Sequence, residues 1–199
     1  MNRVHDLLRV LPDTIDIPGD APAWVRESLD RTPWVVVRRT HASAGTIPVG
    51  VRGVTRDQRY PLTINPATVV DHIAPDRLHR RPIHHIKLAA FTALAGLRDR
   101  LHDTPLRWGP TGSVGFELAA GASCVTPASD LDVAVFTDTL DLPWDTLAAA
   151  VHDLPTRVDC SIELPCGAVT LTEYLDNTRQ LLLKSPHGPR LVDRDELTA

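Results

Sequence analysis

Two aspartates, Asp130 and Asp132, flank a single leucine at the start of the apolar run "LDVAVF". Positions two apart on a strand project from the same face. Two carboxylates so placed repel each other, and burying even part of that charge is costly unless a cation compensates it. Hard oxygen ligands at this separation suit Mg²⁺. The later run "RVDCSIEL" supplies Asp159, with Ser161 and Glu163 on the same strand face. If the two runs are neighbouring strands, three acids converge. Asp159 is taken as the third ligand, with Glu163 as the alternative. Just upstream of the aspartates lies "WGPTGSVGFELAAG", with glycines at 109, 112 and 115, a spacing that matches neither GxGxxG nor GxxxxGK[ST]. It predicts a turn from Gly109 to Gly112 and then a helix, with Ser113 as N-cap and Gly121 as the C-terminal stop. A helix opening on Gly112 and Ser113 offers free N–H groups and partial positive charge to phosphate oxygens without a lysine. On this reading Gly112→Val weakens phosphate binding at a near-normal melting temperature. Phosphate cradle and acid cluster together describe metal-assisted displacement on a phosphoryl chain.

The 199 residues, 43% hydrophobic and 23% charged, suffice for an ordinary core. A net charge of −4 argues against nonspecific nucleic-acid binding, but the charges are not evenly spread. Residues 31–59 carry six arginines against one aspartate, a local +5, and residues 109–199 carry 5 basic against 14 acidic residues, a local −9. A basic part that holds a polyanion and an acidic part that holds cations is the functional interpretation. No stretch approaches the roughly 18 apolar residues that span a bilayer, and the N-terminus lacks the apolar run of a signal peptide. The expectation is a soluble cytoplasmic protein with neither membrane nor nucleic acid as partner. Cys124, Cys160 and Cys166 form no CxxC pair, so neither a disulfide framework nor a structural zinc site is expected.

The elements that must position these residues are predicted as follows. "PAWVRESLDRT" forms a short helix, and "WVVVRR" and "IPVGVRG" form a β-hairpin around a glycine-containing loop. Prolines 61, 66, 75 and 82 interrupt the next segment, and the lobe boundary is placed near residue 70. From His84 to Leu101, apolar residues at three- and four-residue spacing predict the longest helix. Beyond it "LDVAVFT", "TRVDCSIEL" and "RQLLLKS" are strands, with "PWDTLAAAVHDL" and "LTEYLDNT" as helices between them. The resulting class is α+β, with a small β-rich lobe over residues 1–70 and a mixed sheet flanked by helices over residues 71–199. Trp108 is assigned to the core, and His84 and His85 to the surface.

A Gly-Ser helix start, an Asp-x-Asp strand and a later acid together resemble the nucleotidyltransferase superfamily of the DNA polymerase β type. The 16 residues between Ser113 and Asp130 exceed that pattern's usual gap, so "ASCVTPAS" must form an added turn or strand. More narrowly, "WGPTGSVGFELAAG", "SDLDVAVF", "VDCSIELPCGAVTLTEY" and "GPRLV", with "VHDLLRV", "WVVVRR", "IPVGVRG" and "RDQRY" upstream, resemble the phosphoribosyl-dephospho-CoA transferases of malonate decarboxylase. That resemblance implies attack on triphosphoribosyl-dephospho-CoA by a serine of the decarboxylase's acyl-carrier subunit, with loss of diphosphate. It implies Mg²⁺ on Asp130, Asp132 and Asp159, with Asp159 also able to accept the serine proton, directly or through the metal. Gly112 and Ser113 would meet the β- and γ-phosphates, and Arg39, Arg52 and Arg59 of the N-terminal lobe would bind the donor, unless that lobe recognises the carrier. An AMP transferase using ATP would share the catalytic residues. A noncatalytic adaptor would have no use for three clustered acids.

Overall fold

β-branched alternation dominates the first third of the chain. In the computed structural model, which describes residues 2–197, this region is an all-antiparallel sheet. Strands β1 (Leu7–Val10), β2 (Trp34–Val37), β3 (Ile47–Arg52), β4 (Arg59–Ile64) and β5 (Val69–Ile73) lie in the order β4-β3-β2-β1-β5. Every second residue of β3 is buried, as expected of a strand with one face on a core. That core is closed by helix α1 (Trp24–Arg31), whose Val25 and Leu29 are fully buried against the sheet. Pro61, which cannot donate to a ladder, sits in the edge strand β4.

The chain leaves this sheet through Ala74 and the short helix α2 (Pro75–Leu78), then enters helix α3 (Ala89–Leu101). The helix starts later than its apolar spacing predicts. Leu88 is the N-cap, Ile86 is 49% exposed, and the Thr92 hydroxyl donates back to the Ile86 carbonyl, so the preceding turn folds around the helix start instead of joining it. Strand β6 (Arg107–Pro110) follows, then α4 (Gly112–Ala120), β7 (Leu131–Phe136), α5 (Trp144–Val151), β8 (Val158–Leu164), β9 (Gly167–Thr170), α6 (Leu171–Leu175), β10 (Gln180–Ser185) and β11 (Gly188–Asp193). Their sheet has the order β11-β10-β9-β8-β7-β6. Only β7 and β8 are parallel, because α5 carries the chain back between them. The class is α+β as predicted, with a mixed second sheet.

Burial on β7 and β8 follows the period of two. Leu131, Val133 and Val135, with Cys160, Ile162 and Leu164, point into one apolar core beneath α3 and α5. Trp108 belongs to that core at 3% exposure and stacks on His79. Asp132, Asp159, Ser161 and Glu163 therefore share the opposite face, which turns toward the first sheet. A separate apolar cluster, drawn from Leu7, Trp34 and Ile73 on one side and Leu78, Phe116 and Ala119 on the other, joins the two halves. At this junction Gly109 has room for a hydrogen only: a Cβ there would lie 1.8 Å from the Pro75 carbonyl oxygen.

Candidate active site

Between the two sheets lies a cleft of about 1360 Å³, walled by arginines of the first sheet and by the acidic face of the second. Asp132 and Asp159 are register partners across the parallel pair β7 and β8, so the predicted adjacency of the two runs holds. Asp130 enters from the residue before β7 and also lines the cleft. Burial pushes the Asp132 carboxyl up from the usual carboxylate range, and the negative charges of Asp130 and Asp159 push it further. Arg56 stands 3.8 Å from Asp130, but it is largely exposed and offsets little of this. Arg157 pairs with Asp159 at 2.5 Å. The result is an under-compensated acidic cluster, which is the electrostatic setting for a hard cation. Among the described residues, no three His, Cys, Asp or Glu side chains are gathered closely enough to hold a metal ion as they stand.

The turn facing these acids differs from the sequence expectation in two ways. Arg107–Pro110 is a strand, not a turn, because it has β7 to pair with, Gly109 opposite Ala134. The N-cap of α4 is Thr111, not Ser113, and the helix already begins at Gly112. Its first i to i−4 bond runs from the Gly115 N–H to the Thr111 carbonyl, which leaves the N–H groups of Gly112 and Ser113 without intrahelical acceptors at the cleft. Gly112 has φ +55°, and a Cβ there would fall 1.9 Å from Asp132 Oδ2. The near-normal melting temperature expected above for Gly112→Val therefore does not survive, since any side chain displaces the aspartate. Gly121 does end the helix, in the left-handed conformation at φ +69°.

The added segment between Ser113 and Asp130 comprises the rest of α4 and a loop over 121–130, with no extra strand. Glu117, buried at 7% exposure, fixes that loop: its carboxylate accepts the N–H groups of Cys124 at 2.7 Å and Val125 at 2.8 Å. Cys124, Thr126 and Ser129 then form cleft wall.

The family model described as the phosphoribosyl-dephospho-CoA transferase MdcG N-terminal domain matches residues 3–75, and the C-terminal domain of the same transferase matches residues 77–195. The chain belongs to this transferase family. A phosphoribosyl-dephospho-CoA transferase of Pseudomonas putida is 38% identical over 198 residues, covering 96% of this chain and 93% of that protein. One from Pseudomonas fluorescens is 39% identical over 191 residues, covering 94% and 90%, and one from Azotobacter vinelandii is 34% identical over 197, covering 94% and 91%. No solved structure matches. No helix among the described residues of this transferase is long and apolar enough to cross a membrane.

Arg39, Arg52 and Arg59 of the transferase all line the cleft, but their engagements differ. Arg52 lies over the Phe116 ring with its Nε buried and unpartnered. Arg59 donates to the carbonyls of Thr55 and Gln58. Arg39 is committed to Glu163, which also accepts from His5 Nε2 at 3.1 Å and from Ser161 Oγ at 2.9 Å. Glu163 is therefore a bridge between the halves. Sequence reasoning assigned neither this bridge nor His5, whose only signal is its place just ahead of a four-residue strand. Lys184 also lines the cleft from β10.

Burial alone would raise the Glu163 carboxyl, but the hydrogen bonds and positive charge of His5 and Arg39 outweigh it and hold the value at about 2. A depressed carboxyl stabilises the fold above its unfolded value near 4.5 and loses that contribution as the pH falls toward 2. Glu163→Gln is thus expected to cost on the order of 3 kcal/mol at pH 7. Its urea midpoint should approach that of the wild type as the pH falls from about 5 to 3. A gap that does not change with pH over that range would show that Glu163 contributes through packing and not through charge.

Proposed function

We propose that this protein transfers the phosphoribosyl-dephospho-CoA group from triphosphoribosyl-dephospho-CoA to a serine of the apo acyl-carrier subunit of malonate decarboxylase, releasing diphosphate. Likeness over nearly the whole chain to proteins named phosphoribosyl-dephospho-CoA transferase carries this reading. The opposition of an acidic cluster to a helix start supports it. Asp130, Asp132 and Asp159 would hold Mg²⁺, and the crowding that raises the Asp132 carboxyl fits that role. When bound, the metal supplies positive charge for the attacking oxygen and the departing diphosphate. Gly112 and Ser113 direct backbone N–H groups at the phosphates, and the arginine wall receives the rest of the donor. The cleft volume of about 1360 Å³ exceeds the 300–1,000 Å³ usual for a drug-sized ligand, which favours a long CoA-derived donor over ATP. Incubation with the donor and the apo-carrier subunit tests the assignment: the carrier should gain the mass of the prosthetic group on one serine. Labelling with AMP from ATP at a higher rate would overturn it.

The domain roles follow from the same reading, with donor recognition assigned to the first lobe. Arg52→Ala and Arg59→Ala should each weaken donor binding by about 1.5 to 3 kcal/mol, with a smaller change in kcat. Calorimetry with Ca²⁺ in place of Mg²⁺ would read the binding term, and added salt should narrow the gap to wild type. Arg39→Ala is a poorer probe, since it also breaks the contact with Glu163. Unchanged donor affinity in the Arg52 and Arg59 variants would move the lobe's task to docking of the carrier.

A further inference from the structure

Attack by a serine hydroxyl requires a group to take its proton, and the acidic cluster is poorly free to do so. Asp159 is paired with Arg157, and all three aspartates serve as ligands in the reading above. Across the cleft stands His5, from the segment just before β1. It lines the same cavity as Asp132 and Ser161, and its side chain is 30% exposed. Its backbone has φ +70°, a left-handed conformation that disfavours a non-glycine residue. The strain is held by the His5 N–H donating to the Val37 carbonyl at 3.0 Å.

The partner of the ring fixes its tautomer. Glu163 accepts from Arg39 and Ser161 and is a carboxylate at neutral pH, so the hydrogen of a neutral His5 lies on Nε2, toward Glu163. The lone pair is then on Nδ1, for which there is no hydrogen-bond partner among the described residues. A carboxylate on one ring nitrogen, and an unpartnered second nitrogen on a ring that lines the cleft, is the arrangement that makes imidazole a general base. The charged group touching the ring is Glu163 from β8, Arg39 after β2 pairs with the same carboxylate, and Asp132 from β7 lines the same cavity.

We propose that His5 is the general base of the transfer and that Glu163 is its positioning residue, an assignment that rests on the transferase reading above. The serine proton passes to His5 Nδ1 while the oxygen's electron pair forms the bond to the α-phosphorus. The phosphorus–oxygen bond to the leaving group breaks, and its electron pair departs with diphosphate. The first lobe thereby supplies a reacting group as well as a binding wall.

His5→Gln separates chemistry from architecture, because a glutamine amide can still donate to Glu163 but cannot accept the proton. It should lose at least about 100-fold in kcat, the lower end of what a general base contributes. Its donor affinity in Ca²⁺ and its melting temperature should stay near wild type. The more disruptive His5→Ala should regain at least about tenfold of its lost rate when imidazole is added, since free imidazole replaces the missing base. Turnover of His5→Gln within about fivefold of wild type would overturn the proposal, as would a loss matched by weaker donor binding or a lower melting temperature. Wild-type transfer is measured first: an unmodified carrier at that stage defeats the transferase reading itself, and this assignment with it.

Discussion

Asp132→Asn should abolish transfer without harming the fold. The variant keeps the volume and the strand position but removes the most confined charge of the cluster, so activity should fall by about two powers of ten or more, roughly 2.7 kcal/mol of transition-state stabilisation. Stability should move the other way. A carboxyl whose value is raised in the folded state binds more protons folded than unfolded, so stability declines as the pH rises through the window from about 3.9 to the raised value. Above that window the ionised Asp132 costs folding energy, and the asparagine, free of that cost, should melt at the same temperature as wild type or higher. Mg²⁺ should raise the melting temperature of the wild type and leave that of the variant nearly unchanged. Transfer within about fivefold of wild type, or an equal response to Mg²⁺, would remove Asp132 from the metal assignment.

Even the smallest side chain at position 112 is expected to stop the reaction, for a reason of geometry. Gly112→Ala asks an L-residue to hold φ +55°, which costs about 1 to 2 kcal/mol, and aims its methyl at Asp132 Oδ2. A fall in melting temperature of several degrees and a loss of transfer of about 100-fold or more should accompany each other. Gly121→Ala is the matched control. It has φ +69° but open space around the new carbon, so it should cost about 1 kcal/mol in stability and leave transfer within twofold. If the two substitutions behave alike, the conformational penalty accounts for both, and contact with Asp132 has no part in catalysis.

Period-two patterning made the functional face of the second sheet legible in the sequence. Asp159, Ser161 and Glu163 alternate with Cys160, Ile162 and Leu164, and the same alternation places Asp132 beside them once β7 and β8 pair. The hairpin of β2 and β3 and the helices α1, α5 and α6 were legible for similar reasons. β1, β6 and β9 were not, because each has only four residues without the unbroken β-branched run of β2, and β6 carries a glycine and a proline that signal a turn. The expected start of α3 is too early because Ile86 keeps helical spacing with Ala90 and Ala93, whereas its carbonyl accepts from the Thr92 hydroxyl ahead of a helix that begins after Leu88. Contacts between lobes leave no trace in local sequence: Arg39 and Glu163 are 124 residues apart, and His5 and Glu163 158. Arg39 therefore read as a free cation, and the pairing of Glu163 with His5 was out of reach.

The two sheets draw their strands from separate stretches of chain, residues 7–73 and 107–193, so every backbone ladder closes within its own half. Swinging one half away about Ala74 and Pro75 would break no strand pairing and would leave both main cores dry. It would cost the Leu7–Phe116 cluster, the bonds converging on Glu163 and a few side-chain contacts, among them Arg52 with Phe116, Arg56 with Asp130 and His41 with His187. An opening of that kind would separate catalytic competence from folding, at a free energy below that of global unfolding. Such an opening would silence the enzyme while its far-ultraviolet circular dichroism stayed native. A donor that touches both walls acts as an adhesive, drawing the halves together by mass action and helping to assemble the site in which it reacts.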